Sequence, residues 1–600
     1  MTGERERVRG TGRGPMAVLL GPRPAVVAAA RRAGARTVVV APGPPVPSDR
    51  EGAERRVPAD RRDHSRPVGA VCAVGRPTSG TGGPASWTGP RARSADRDPS
   101  PRIHTGFTYR RHRGGMALTR REVLATGVSG AAAVTTPHLS APSPDTRILT
   151  GTIRPGAPDF VEIPLDVPRG VRELRVAYTY GKPPVPPGTP GNALDIGIFD
   201  QHGTALGGRG FRGWSGGARS EFFLRADEAT SGYLPGPIGA GRWHLVLGPY
   251  TVAPQGLPYE ITARFAFGEP GPTPRPLYPP QRARGRGRAW YRGDCHIHSV
   301  HSDGRRTPAE IAALARAAGL DFINSSEHNT HSAHAAWADA LSPDLLIMTG
   351  EEITTRTGHV LAVGTDPGTF VDWRYRAREN RFGRFARTIR GAGGLVVPAH
   401  PHATCIGCAW KFGFGEADAV EVWNGPWTPD DEVSLASWDA TLRGADGERW
   451  LPAVANSDHH RDPDRVGGPQ TVVLAEDLTR ESVLAGMRAG RSYGAESARV
   501  SVVFEAVGPR GEHAGIGETL RVAPDADVLV RLTATGAPGC ELRLITDQGL
   551  AVTSSDAALE WHTSPARSAY VRAEVRHPAT LPPLPGALAA FTNPVWLPAG

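Results

Sequence analysis

From residue 148 to residue 267, apolar and polar residues alternate with a period of two in short runs, at 159–163, 173–178, 193–199, 243–247 and 259–265, separated by Gly and Pro. Successive side chains of a strand face opposite ways, so this alternation predicts half-buried strands and a β-sandwich over 148–267. Residues 268–288 lose the pattern and become dense in Pro, Gly and Arg, the composition of a linker. Over 290–496, apolar strand-like runs alternate with stretches of helical period such as 307–319 and 381–391. Thr307 offers an N-cap, Pro308 suits the first helical position, Glu310 completes a capping box and Gly319 closes the helix. Strand–helix alternation of this length predicts an α/β barrel or layered sheet. The β pattern returns over 499–600 and predicts a second, C-terminal β-sandwich. The expected fold class is multidomain α/β plus β, without an internal repeat.

Charge changes the picture only at the N-terminal end. A formal net charge of +9 suggests a binder of nucleic acid or an anionic surface. Residues 1–115, however, hold 22 Arg against 9 acids and no Lys, which leaves 47 basic and 51 acidic residues, a net of −4, for 116–600. Nucleic acid is therefore not the expected partner. The Arg/Gly/Pro-rich segment 1–115 reaches periodic apolar order only near residues 25–40 and is expected to be disordered or untranslated. Met116 opens a stretch with Arg120-Arg121, a mildly apolar run at 125–134 and then polar, Pro-containing sequence. Residues 116–140 resemble a twin-arginine export signal, which implies synthesis from Met116 and a periplasmic, extracellular or cell-surface location. No run approaches the ~20 apolar residues of a spanning helix. Five cysteines in 600 residues are too few for a disulfide framework.

The chemistry gathers at the ends of the predicted strands. Asp294-Cys-His296-Ile-His298 places two imidazoles on one face of an extended segment, and Ser302-Asp303-Gly304 follows. His328 follows the run at 321–323, Glu352 follows 345–347, His359 precedes 360–363, His400 follows 395–397, and Asp458 and His460 follow 451–454. Apolar strands that each finish in a donor build a site at the carboxyl edge of a barrel. Imidazoles and carboxylates without thiolates favour Zn, Mn or Fe, and so many donors suit two or three divalent ions. Such ions activate water directly, so no protein nucleophile is needed.

Asp-x-His-x-His, Ser-Asp-Gly, Glu-His-Asn, Gly-x-Glu-Ile-Thr, Ala-His-Pro and Ser-Asp-x-His, in this order, resemble the motifs of the PHP (polymerase and histidinol phosphatase) metal-dependent phosphoesterases, in particular the carbaryl-hydrolase-like, CehA/McbA-type branch. The resemblance covers 290–496 and implies a distorted (β/α)7 barrel with up to three metals, flanked here by the two sandwiches. It implies that His296, His298, Glu352 and Asp458 hold one ion, Glu352, His359 and His400 a second, and Asp303, His328 and His460 a third, with Glu352 bridging. Glu327 stands where many members have Asp, and His459 is an addition to the last motif; both bear on the residues that support the ligands.

The resulting expectation is a hydrolase that uses a metal-bound hydroxide on a small-molecule phosphate ester, with carbamate or carboxylic ester hydrolysis as the alternative at the same site. A different class of answer is a surface-binding protein whose sandwiches contact a glycan or partner and whose barrel is only stabilised by metal. Asn329, Lys411, Asn424 and Arg461 lie close in sequence to the site loops and are candidates for substrate contact. His301, His331, His402 and His459 are candidates for the proton donor. Cys405 and Cys408 form Cys-x-x-Cys without a second pair, which reads as a loop disulfide or two thiols rather than a zinc site.

Overall fold

The structure, a computed structural model, describes residues 16–19, 36–39, 145–445, 447–580 and 584–599. The chain divides into two units, 1–128 and 129–600. In the first, strands Met16–Leu19 and Arg36–Val39 pair in parallel. The export-signal segment 116–140 and the rest of 1–115 lie outside the described residues.

The second unit is mostly β and spreads over several sheets. It opens with two four-stranded antiparallel sheets. Alternate residues of both, among them Leu174, Val176, Ile196, Ile198, Leu245 and Ile261, fill one buried core. Strands Thr146–Ile153, Phe211–Trp214 and Glu221–Arg225 were not expected from the alternation. The first opens ahead of the expected boundary, and Gly213 interrupts the second.

Ten strands follow over 289–495: β1 (Ala289–Asp294), β2 (Phe322–Asn324), β3 (Leu346–Met348), β4 (Glu351–Thr355), β5 (Gly358–Val363), β6 (Leu395–Ala399), β7 (Val420–Asn424), β8 (Ala453–Asn456), β9 (Gln470–Ala475) and β10 (Ser492–Ala495). Their helices are α1 (Pro308–Ala317), α2 (Phe382–Gly391), α3 (Pro429–Arg443) and α4 (Arg480–Arg488), beside shorter helical turns. Helix α1 begins with the expected capping box between Thr307 and Glu310. Hydrogen bonding does not close these strands into one seven-stranded ring. β1, β2 and β3 pair in parallel, β7 pairs with β8 in parallel, and β4, β5 and β6 form an antiparallel meander. The meander departs from strand–helix alternation because β4 and β5 are joined by the tight turn at Arg356-Thr357, where Gly358 takes φ 122°. A Cβ there would lie 2.6 Å from the Trp410 backbone.

Two isolated parallel bridges, Ile297 with His459 and His328 with Glu352, tie the segments beyond these strands together. On the other side β1 pairs with β9, β9 with β10, and β10 with strand Leu588–Thr592, so one ten-stranded sheet runs from the central region into the C-terminal strands. A four-stranded sheet covers those C-terminal strands over a shared core that includes Val502, Phe504, Val530, Leu544 and Val571. Among the described residues no helix is long and apolar enough to cross a membrane.

Candidate metal centre

β1 ends at Asp294, and the next turn of chain carries His296 and His298 into the interior, where both are fully buried. The Asp294 carboxylate turns away from them and accepts from the backbone N–H groups of Ser457 (3.1 Å) and Gly467 (2.8 Å), so it ties the loop after β8 to the end of β1. From β4 comes Glu352, and from the loop after β8 comes Asp458. His296 Nε2 lies 3.3 Å from Glu352 Oε2 and 3.2 Å from Asp458 Oδ1, and His298 Nε2 lies 3.4 and 3.2 Å from the same two atoms. All four atoms are buried and none has a hydrogen-bond partner. Such a cluster is costly unless a common partner satisfies it, and a cation at their centre does so.

The other Glu352 oxygen, Oε1, faces His359 Nδ1 at 3.0 Å and His400 Nε2 at 3.3 Å. Asp303 Oδ1 faces His460 Nε2 at 3.3 Å and His328 Nε2 at 3.5 Å. Three groups of donors lie with their atoms mutually within 4.8 Å: His298, Asp303, His328 and His460; His296, His298 and Asp458; and His296, Glu352 and His400. All nine residues expected as ligands are thus brought together. The donor groups overlap, because His298 also faces the Asp303 group and His296 the His400 group. His359 joins through Glu352 alone.

Charge tells the same story. Burial disfavours the ionised carboxylates of Glu352 and Asp458, yet the surrounding imidazoles outweigh it and hold both well below the usual range. Against its own burial, His328 is raised to about 10 by Glu352 and Asp303, and His296, His400 and His460 are also raised. Burial dominates at His298, which falls to about 3, with His460 and His328 adding repulsion. The carboxylates therefore demand positive charge of the kind a divalent ion would supply.

The supporting residues show how the site is built. Glu421, buried on β7, accepts from Asn456 Nδ2 (2.8 Å), Asn424 Nδ2 (2.9 Å) and the His400 backbone (2.9 Å), and its Oε1 faces His296 Nδ1 at 3.1 Å. It fixes which ring nitrogen of His296 points into the cluster. Sequence reasoning passed over it; the available signal was a lone carboxylate inside the apolar run Val420-Glu-Val-Trp. Glu327 accepts from Ser302 Oγ at 2.6 Å and the Ser299 N–H at 3.1 Å, so it braces the loop that carries His298 and Asp303. Three of the four non-glycine residues with positive φ among the described residues, Asn329, His400 and Asp458, belong to this site. Strained backbone of this kind concentrates where function fixes the geometry. Gly304 is required by close approach, because a Cβ would lie 2.2 Å from the His298 carbonyl oxygen.

A cavity of about 330 Å³ opens on the Asp303 side of the cluster. Asp303, His328, Asn329 and Thr354 form its floor, while Phe160, Asp195, Trp214 and Tyr250 of the N-terminal sandwich, with Arg356 and Trp373, form its walls. Of the four expected substrate contacts only Asn329 lines it. Asn424 is spent on Glu421 and on Asp458 Oδ2 (3.3 Å), while Lys411 and Arg461 are exposed and outside the lining. None of His301, His331, His402 and His459 lines it either. Cys405 and Cys408 are joined in a disulfide.

No family model matches the chain, and no curated protein matches it. Among solved structures it is similar to a two-domain protein of Bacteroides vulgatus containing a predicted PHP-like metal-dependent phosphoesterase, at 15% identity over 54% of this chain and 99% of that one, with a TM-score of 0.31. It is also similar to a protein of Bifidobacterium adolescentis described as a candidate metal-dependent phosphoesterase (20% identity, 34% of this chain, 93% of that one, TM-score 0.22). A third similarity is to an amidohydrolase of Chromobacterium violaceum with bound sulfate and no metal (20% identity, 29% of this chain, 89% of that one, TM-score 0.22).

Proposed function

We propose that this chain is a metal-dependent phosphoesterase of the PHP type, in the carbaryl-hydrolase-like branch, with two or three divalent ions of Zn, Mn or Fe. The observation that carries the reading is the convergence of His296 Nε2, His298 Nε2, Glu352 Oε2 and Asp458 Oδ1, all buried and facing one another without a hydrogen bond, with His328 Nδ1 also 2.8 Å from Glu352 Oε2. Nine donors without thiolates fit several hard or borderline ions better than one structural ion. Bound there, divalent ions supply Lewis acidity and a nucleophilic water at neutral pH. The chain's own part is to hold the donors in place. Glu421 orients His296, Glu327 braces the 299–303 loop, and Asp294 fixes the loop of Asp458. The walls of the cavity exclude water from one side of the substrate. Hydrolysis of a carbamate or carboxylic ester at the same site is a second reading, favoured by the aromatic walls and by Arg356 as the only arginine or lysine among the lining residues.

The test is elemental analysis of the purified full chain, followed by assays on phosphomonoester, phosphodiester, carbamate and carboxylic ester substrates. Two or three ions per chain with phosphate-ester turnover is the expected result. Turnover of carbamates or carboxylic esters alone would transfer the assignment to the second reading. Less than one ion per chain and no turnover would remove the enzyme reading.

A further inference from the structure

Two polar side chains in the cavity wall belong to no metal group and to no motif. Asp195 sits on strand Ala193–Phe199 of the N-terminal sandwich, and Arg356 sits in the turn between β4 and β5. Asp195 Oδ2 and Arg356 Nη2 are 3.9 Å apart, inside ion-pair range but beyond a hydrogen bond. Arg356 Nη2 is buried and has no hydrogen-bond partner. The guanidinium is nevertheless fixed, since it lies over the Tyr250 ring at 4.1 Å and the Phe160 ring at 5.8 Å.

Arginine–carboxylate pairs next to the cavity wall in sequence are closed. Arg374 Nη2 reaches Asp372 Oδ2 at 2.7 Å, and Arg376 donates through two nitrogens to Asp159. Asp159, the other carboxylate near Arg356, is thereby occupied. A structural ion pair would be expected to close in the same way, but Asp195 and Arg356, both lining the cavity, stay 3.9 Å apart and place an acceptor and a donor side by side. Trp214 and Trp373, in edge-to-face contact at 4.8 Å, add flat apolar walls beside it.

We propose that the N-terminal sandwich forms the leaving-group subsite of this hydrolase, where Asp195 and Arg356 read a planar group that carries a hydrogen-bond donor next to an acceptor, such as a ring amide. The inference rests on the hydrolase reading above and adds a substrate class to it. The substrate's N–H donates to the Asp195 carboxylate, its carbonyl oxygen accepts from the Arg356 guanidinium, and its ring packs against the tryptophans. At about 330 Å³ the cavity holds a small molecule whose other end reaches Asp303 and His328.

Calorimetry on the full chain with 3-hydroxybenzamide and with phenol tests this without turnover. The amide should bind at least about tenfold more tightly than phenol, the usual scale for hydrogen bonds to charged groups. Asp195→Ala and Arg356→Met should each bring that ratio below about threefold. The ratio of kcat/KM for 3-carbamoylphenyl phosphate over phenyl phosphate should follow the same order in the three proteins. Equal binding of the two ligands by the unmodified chain, binding of neither, or a ratio unmoved by both substitutions would overturn the proposal. Preferential amide binding without turnover of any ester would leave the subsite standing and overturn the hydrolase reading instead.

Discussion

Glu352 is the residue on which the cluster turns, because its two oxygens face different histidines, Oε2 toward His296 and His298 and Oε1 toward His359 and His400. Glu352→Gln removes the charge that both sides need while keeping the shape. We expect it to lower the metal content by at least one ion per chain in elemental analysis and to reduce ester turnover at least about a hundredfold. Full metal content in this variant would show that Glu352 is not a ligand. Glu421→Gln asks a different question, since Glu421 faces the outer nitrogen of His296, the amides of Asn424 and Asn456 and the His400 backbone N–H, and points into none of the donor groups. The variant should keep its fold and bind metal about 10- to 100-fold more weakly in competition with a chelator. An unchanged affinity would mean that the His296 ring is held in place by packing alone.

At the scale of elements, the site depends on loops that two parts of the chain build together. Arg219, in the loop that follows Ser215 and Gly216, donates through Nη1 to the Ser302 carbonyl at 3.0 Å and through Nη2 to the Val300 carbonyl. The 299–304 loop that positions Asp303 is therefore held from the sandwich side as well as by Glu327. Arg219→Ala should loosen that loop, raising KM several-fold while the ion shared by His296, His298, Glu352 and Asp458 is retained; loss of all metal would show instead that the loop supports the whole cluster. The motifs made the convergence of the nine donors legible, because most of them end or follow a short apolar run. Residues that complete the site from afar were not legible. Asp195 and Arg219 lie far in sequence from the ligand motifs, and Arg356, although it falls between Glu352 and His359, is no metal-type residue; docking of the sandwich onto β4 and the 299–304 loop gives the three a place. Lys411 and Arg461, close in sequence to the site loops, are exposed and lie outside the cavity lining. Helix α3 also escaped the periodicity, although Thr428-Pro429 and Asp431 carry a capping box like that of α1.

At the scale of the whole second unit, the C-terminal strands are joined to the central region by more than the shared sheet. Arg572 and Arg576 on strand Tyr570–Arg576 are almost fully buried, and Glu574 lies between them, 2.7 Å from Arg572 Nη1 and 2.5 Å from Arg576 Nε. Arg572 continues to Asp439 (2.7 Å) and Arg576 to Glu432 (2.9 Å), both on α3. A buried ionic network adds little over well-packed apolar residues, but removing one member leaves the others uncompensated. Burial pushes the Glu574 carboxyl up, yet the two guanidinium groups outweigh it and hold it below the usual carboxylate range. A folded-state pKa below the unfolded one gives stability that is present above the unfolded value, about 4.5, and is lost as pH falls through the folded value. Glu574→Gln should therefore lower the urea midpoint at pH 7 by the equivalent of about 3 kcal/mol. That gap should narrow as pH falls below about 4, where the unmodified carboxylate also takes up its proton. A gap that stays constant from neutral to acid would mean that shape, and not the charge of Glu574, joins α3 to the C-terminal sheet.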